Sequence, residues 1–274
     1  MNFLKKNIFL IAIFLLAIFL RLNYDIFISG YNYDELAIVS IAKLNFPFEI
    51  LKNCANLDYH APLYYLLIHP ITLLKNEWVY LRLFNLFLSL INIYCFYKIG
   101  KLLIDKKTGL LFALFLTVSH IQIMTVSLVK FYCLCFLLIS FNFYYLIKIL
   151  KHKKGYFKLG ITNIFFILSS TLGFIFINLE YLALLITQKN KKEILKSYGI
   201  SQIGFLLYLP ILISQTKLAF SNIISPHSSY SEFSFFSLYN FLNDYISPLI
   251  NYSCGIETYP AFSLFLNFSN SHKS

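Results

Sequence analysis

The sequence predicts an all-α protein, a polytopic membrane helix bundle with about seven transmembrane helices. The 274 residues are 58% hydrophobic and only 13% charged, whereas soluble domains are about 25% charged. Backbone groups in lipid must pair within a helix or a closed barrel. The apolar runs lack the alternation typical of barrel strands, so we expect helices.

The seven predicted membrane helices follow the apolar runs of the chain. The first begins after Lys5 and Lys6 and resembles a signal peptide, but it lacks a small-residue cleavage site and is therefore expected to stay attached. Between the lysine clusters that flank the fifth and sixth helices there is too little chain for two full spans. Either a tight hairpin near Gly173 and Asn178 or one long tilted helix fits there. The predicted segments are 7–24, 80–100, 109–126, 130–149, 158–174, 175–188 and 198–216.

The charged residues orient the predicted bundle. With the N-terminus in the cytoplasm, most of the 23 Lys and Arg fall at cytoplasmic helix ends, which is the bias that sets membrane topology. Most of the 12 Asp and Glu then fall outside. The net charge of +11 therefore indicates a bilayer rather than a nucleic acid as the partner. We therefore expect a multi-pass membrane protein, located in a bacterial inner or plasma membrane.

The chain is predicted to divide into a membrane module and a C-terminal segment. The module covers 1–216 and carries a long first extracytoplasmic loop at about 25–79, in which 37–48 and 62–74 are apolar and aromatic. We expect these two stretches to form helices at the outer interface. The segment 217–274 is expected outside, and a minimal module, a truncated gene product and a fragment all stay open as descriptions of the chain.

Two adjacent carboxylates follow the first predicted helix. Asp34 and Glu35 stand at the membrane–water boundary, where partial desolvation would raise a carboxyl pKa and strengthen it as a general base. The alternative is a solvated loop charge that caps an interfacial helix.

A second pattern is the triplet Asp58-Tyr59-His60, followed by Pro62. Asp and His two residues apart can share a divalent metal ion or hydrogen-bond one substrate. Most such pairs are ordinary loop residues, and that alternative stays open.

Three charged side chains fall at outer helix ends or within an apolar run. Lys130, before Tyr132, and Arg82 lie at the outer starts of the predicted fourth and second helices. Each either snorkels to the interface or binds an anion such as a lipid phosphate. Glu180 is an acid inside an apolar run, which by default is a functional candidate.

Taken in order, these segments resemble the GT-C glycosyltransferases, in the branch of protein O-mannosyltransferases and lipid A aminoarabinose transferases. They are similar to the family's acidic pair after the first helix, its D-x-H-P-P-L-Y-Y stretch, its second helix from R-L to G-R, its R-x-Y motif and the end of its seventh helix. The matching segments are Tyr33-Asp34-Glu35, Asp58-Tyr59-His60-Ala61-Pro62-Leu63-Tyr64-Tyr65, Leu81-Arg82-Leu83 through Lys101, Lys130-Phe131-Tyr132 and Tyr208-Leu209-Pro210.

The resemblance implies inverting transfer of a sugar from a polyprenyl-phosphate donor to a lipid, glycan or protein hydroxyl on the extracytoplasmic face. It makes Asp34 the general base and Glu35 its helper. The remaining residues of the implied substrate site are Asp58 and His60, around a divalent metal ion if one is bound, with Arg82 and Lys130 holding the phosphate and Tyr132 beside them.

The sequence departs from the family pattern at several positions, and two other functions stay open. Ala61 replaces a proline and Lys130 replaces an arginine, which removes the bidentate fork for phosphate. A non-catalytic remnant or assembly partner would keep the same helices. A transporter would need broken helices or repeat symmetry, and the sequence indicates neither.

Overall fold

In a computed structural model, the structure describes residues 2–24, 30–57 and 60–224. These residues form eleven α-helices and no strand, so the predicted fold class is confirmed as all-helical. Residues Met1–Phe220 form one compact unit. The helices are α1 Asn2–Leu22, α2 Tyr33–Ala42, α3 Phe48–Asn56, α4 Leu63–Thr72, α5 Glu77–Leu103, α6 Lys106–Val118, α7 His120–Ser127, α8 Tyr132–His152, α9 Tyr156–Ser169, α10 Thr171–Thr187 and α11 Lys191–Ile224.

Several helices are long and apolar enough to cross a membrane. Three meet that test alone, namely α5, α8 and the Lys191–Leu218 part of α11, and the bent pair α6–α7 makes a fourth. The apolar part of α1, with α9 and α10, is shorter. Each of the seven predicted segments coincides with a helix or helix pair, while seven membrane crossings remain a prediction.

The region of the fifth and sixth predicted helices contains two helices. Ser170 has extended backbone angles (φ −154°, ψ 128°) and separates α9 from α10. The two helices predicted here are therefore present, the alternative of one continuous helix is wrong, and the break comes before Gly173. A Cβ at Gly173 would lie 2.9 Å from the carbonyl oxygen of Phe166, so the chain turns closely against itself here.

The third predicted helix is broken, which the sequence did not indicate. The axes of α6 and α7 differ by 53° at Ser119. Arg21 of α1 is fully buried there and donates to the carbonyl oxygens of Thr117 at 3.1 Å and Leu116 at 3.3 Å. These are carbonyls that the end of α6 leaves without helical partners. A buried cation also complements the negative C-terminal end of a helix dipole.

The loop between α1 and α5, which was predicted to lie outside, contains three helices in its described residues where two were expected. Asn32 caps α2: its Oδ1 accepts from the backbone N–H of Glu35 at 2.8 Å, and the Glu35 carboxylate accepts from the backbone N–H of Asn32 at 2.9 Å. This reciprocal capping box fixes where α2 begins. α4 packs against α2 and α5, with Tyr64, Tyr65 and Ile68 fully buried. The loop is thus a folded layer on one end of the bundle.

Candidate functional site

The candidate site lies where the start of α2 meets the turn between α7 and α8. Lys130 in this turn places its Nζ 2.7 Å from Oδ2 of Asp34. The two residues are 96 positions apart in the chain. Two segments that the sequence singled out separately are therefore brought together.

Glu35 holds α2 against the turn before α8. Its side chain is 3% exposed, and its Oε1 accepts a 2.7 Å hydrogen bond from the backbone N–H of Val129. Its Oε2 serves the capping box of α2. Both oxygens are thus engaged by backbone donors, which gives Glu35 a positioning role.

Arg82 of α5 is buried next to Glu35. Its side chain is 5% exposed, with Nη2 3.9 Å from Oε2 of Glu35. Nε donates to the carbonyl oxygen of Ser127 at 2.8 Å, and Nη2 to that of Gly30 at 3.0 Å. The guanidinium therefore joins the residues before α2 to the end of α7, and it neutralises the buried Glu35.

Asp34 and Lys130 form the more accessible part of the site, and Asp34 is the exposed partner. The Asp34 side chain is 66% exposed and that of Lys130 17%. The hydrogen bond from Lys130 and its positive charge hold the pKa of Asp34 below its usual range. Desolvation is the largest single influence on the pKa of Lys130 and lowers it, but the hydrogen bond that Lys130 donates to Asp34 and the electrostatic contributions of Tyr132, Asp34 and Glu35 together outweigh it and raise the pKa. The expectation of a desolvated Asp34 with a raised pKa is therefore wrong, because an ion pair to a nearby cation dominates.

Aromatic rings border this ion pair. Nζ of Lys130 lies 5.8 Å from the ring centroid of Tyr132, within cation–π range. Phe131 packs between Tyr132, at 4.9 Å, and the imidazole of His60, at 4.7 Å between ring centroids. His60 also contributes a smaller lowering of the pKa of Asp34. His60 thus belongs to the same neighbourhood, as the sequence predicted.

One of the two predicted metal ligands, Asp58, lies outside the described residues. Within 2–24, 30–57 and 60–224, no group of three or more His, Cys, Asp or Glu could hold a metal ion. A site shared by Asp58 and His60 therefore stays a prediction.

Two amide side chains that sequence reasoning missed also hold the site together. Asn85 of α5 accepts from the Tyr64 hydroxyl at 3.2 Å and donates to the carbonyl oxygen of Leu128 at 2.6 Å. Gln215 of α11 donates to the carbonyl oxygens of Cys54 at 2.9 Å and His60 at 3.0 Å. The sequence signal that could have identified both residues was an amide side chain within an apolar helix, because such a side chain needs a buried hydrogen-bond partner.

Glu180 binds a different set of side chains. Its Oε2 accepts from Nδ2 of Asn142 at 2.7 Å, and the same amide group donates to Oδ1 of Asn163 at 2.8 Å. All three are buried. The structure thus places Glu180 in a polar cluster between α8, α9 and α10.

Chemically, the site combines an exposed carboxylate, a cation and aromatic surface on a buried scaffold. The carboxylate can accept a proton from a hydroxyl, and the cation can bind an anionic group. No protein-family model matches the chain, and no curated protein is significantly similar to it.

Proposed function

We propose that the protein is a membrane glycosyltransferase of the GT-C type. It would move a sugar from a polyprenyl-phosphate donor to an acceptor hydroxyl with inversion, at the extracytoplasmic face. The observation that carries the proposal is the 2.7 Å contact between Asp34 and Lys130. It sets a general base beside a phosphate-binding cation.

In the proposed reaction, the acceptor oxygen attacks the anomeric carbon opposite the phosphate. The bond from that carbon to the phosphate oxygen breaks, and polyprenyl phosphate leaves with the electron pair. Asp34 takes the hydroxyl proton, and Lys130 faces the charge that develops on the phosphate. His60 and Tyr132 border the sugar or phosphate, and Asp58 would join them with a divalent metal ion if the reaction uses one.

Glu35 and Arg82 take a different part from the one that the resemblance implies. Both are nearly inaccessible to solvent and bind backbone groups of the loops on either side. We therefore assign them to positioning Asp34 and Lys130. This leaves Lys130 as the principal phosphate ligand, with a point charge in place of the bidentate guanidinium.

The direct test supplies membranes containing the protein with labelled polyprenyl-phosphate sugars. Label should pass to a lipid, glycan or protein, and Asp34→Asn should abolish the transfer. Transfer by neither protein would favour a non-catalytic assembly partner with the same helices.

A transporter is the second candidate, because two observations favour it. The α6–α7 break is the kind of discontinuous helix on which transporters build sites, and Glu180 is an acid buried among apolar helices. Uptake or efflux by proteoliposomes that depends on Glu180 and not on Asp34 would support this alternative.

A further inference from the structure

We infer that the Asp34–Lys130 ion pair is a lock that the donor phosphate opens, so that the donor binds before the acceptor can react. This inference rests on the proposed function and concerns the order of events at the same site. In the structure, the proposed base and the proposed phosphate ligand bind each other, with Nζ of Lys130 2.7 Å from Oδ2 of Asp34.

The two partners of the lock are held unequally. Lys130 is mostly covered, with Tyr132 beside its ammonium group and Val129 anchored to Glu35 by a buried hydrogen bond. Asp34 is 66% exposed, and its side chain has room to turn away. An arriving phosphate therefore competes for Lys130, and Asp34 is the partner that gives way.

Release of Asp34 changes its chemistry. While the pair is closed, the lysine bond occupies Oδ2 and holds the pKa of Asp34 low, which makes the carboxylate a poor base. Once phosphate binds Lys130, the carboxylate loses its cation and lies near an anion. Both changes favour the protonated form, so the base becomes stronger when the donor is in place.

The scaffold stays in place during this exchange. The bonds from Asn32 and Val129 to Glu35 do not involve Asp34 or Lys130. Arg82 likewise binds Ser127 and Gly30 through their backbone oxygens. The lock therefore opens by side-chain movement alone and leaves the start of α2 where it was.

Equilibrium binding of polyprenyl phosphate without a sugar tests the lock, using the full chain in lipid nanodiscs. Asp34→Asn removes the competing charge and should bind the probe roughly two- to fivefold more tightly, the range expected for an exposed ion pair. Lys130→Gln should bind it more weakly. The matched control is Glu77→Gln, which breaks an ion pair of the same 2.7 Å length, to Lys43 in the first outer loop, and should leave binding unchanged.

The outcomes separate the lock from the proposed function. Equal or weaker binding by Asp34→Asn, with Lys130→Gln still weak, overturns the lock and leaves the phosphate site standing. Binding by neither the wild type nor Asp34→Asn overturns the donor site itself. Unchanged thermal unfolding of the variants assigns any difference to the site.

Discussion

The carboxylate of Glu35 accepts a 2.7 Å hydrogen bond from the backbone N–H of Val129, and this buried bond sets the register of the candidate site. One residue before Glu35 stands Asp34, and one residue after Val129 stands Lys130. The fixed bond therefore brings the exposed pair into contact. Adjacent acids on one helix thus have separate tasks, one in the scaffold and one at the surface.

Replacing Glu35 by Ala should destabilise the protein strongly. The change leaves the N–H of Val129 without its acceptor and removes the buried carboxylate that lies 3.9 Å from Nη2 of Arg82. Removing one partner of a buried ion pair costs about 3–5 kcal/mol. Denaturant unfolding in micelles measures the loss.

Glu49→Ala is the matched control for this change. Glu49 lies in the same loop, and its exposed carboxylate accepts a 3.2 Å bond from the backbone N–H of Asn45. A surface substitution of this kind should stay within about 0.5 kcal/mol. Similar losses for the two variants would contradict the scaffold role of Glu35.

Replacing Asp34 by Asn should remove activity while the protein stays folded. Asparagine keeps the shape of aspartate but cannot take a proton from the acceptor. General-base catalysis contributes roughly 10²–10⁴-fold, so transfer of labelled sugar should fall by that factor. The side chain is 66% exposed, so the melting temperature should change little. Transfer that persists within about twofold of the wild type would exclude Asp34 as the base.

The acid limb of the pH–rate profile should report the ion pair. Lys130 lowers the pKa of Asp34, so in the free enzyme the carboxylate stays ionised to a pH below the ordinary aspartate value of about 3.9. The contribution of the pair to stability is complete above that ordinary value and is lost as the pH falls through the lowered one. Lys130→Gln should therefore move the acid limb of kcat/KM for the donor to higher pH.

The same profiles extend to the lock. kcat reports the enzyme–substrate complex and kcat/KM the free enzyme, so the acid limb of wild-type kcat should lie at higher pH than that of kcat/KM. His60 also lowers the pKa of Asp34 slightly, and His60→Gln measures its share. Coincident limbs in the wild type would contradict the release of Asp34 by the donor.

The sequence predicted the helical segments well because apolar runs and lysine clusters are local signals. It also selected Asp34, His60 and Lys130 as members of one site, and the structure brings them close together. It could not show that Glu35 is buried and binds the backbone while Asp34 is exposed. Neighbouring residues on a helix point in different directions, and only the position of Val129 decides which carboxylate is buried.

Breaks and long-range partners were the features that local patterns could not reveal. The carbonyls beside the bend at Ser119 bind Arg21, which precedes them by 95 and 96 residues. Ser169, Ser170 and Thr171 are uncharged and stand between two apolar runs, so hydropathy marks the break between α9 and α10 only weakly. The phosphate-binding role of Arg82 was implied by the family resemblance, while its position at a helix start left snorkelling open as well. Its backbone acceptors come from two distant loops.

Gly100 should be essential for the packing of α5 against α6. A Cβ at this position would lie 2.8 Å from the carbonyl oxygen of Thr108, and a backbone atom cannot move aside cheaply. Small residues let membrane helices approach this closely. Gly100→Ala should therefore lower stability by about 1–3 kcal/mol, measured by unfolding in micelles.

Gly199 provides the control for that substitution. It lies within α11, and no atom of a neighbouring element stands within 4 Å of the place that an alanine methyl group would take. Ala favours a helix over Gly by about 1 kcal/mol, so Gly199→Ala should leave stability unchanged or slightly higher. A loss as large as that of Gly100→Ala would show that close helix approach is not the cause.

Glu180 should tolerate amide replacement better than apolar replacement. In its cluster, Oε1 of Glu180, Oδ1 of Asn142 and Nδ2 of Asn163 are buried without hydrogen-bond partners. Gln keeps the shape of the side chain and removes the buried charge. Its amide group can also donate a hydrogen bond to an unpaired oxygen of the cluster. The free energy of unfolding should therefore be equal or higher. Leu removes the oxygen to which the Asn142 amide group donates and should lower the free energy of unfolding by about 1–3 kcal/mol.

Activity of the Glu180→Gln variant separates the two candidate functions. Glu180 of α10 accepts its hydrogen bond from Asn142 of α8, whereas Asp34 at the start of α2 accepts its hydrogen bond from Lys130 in the turn before α8. A glycosyltransferase whose chemistry lies at Asp34 should therefore keep its rate of sugar transfer in this variant. A transporter that relies on an acid within the helices should lose transport, because the amide cannot bind and release a proton. Loss of sugar transfer in a stably folded Glu180→Gln protein would contradict the assignment of the chemistry to Asp34.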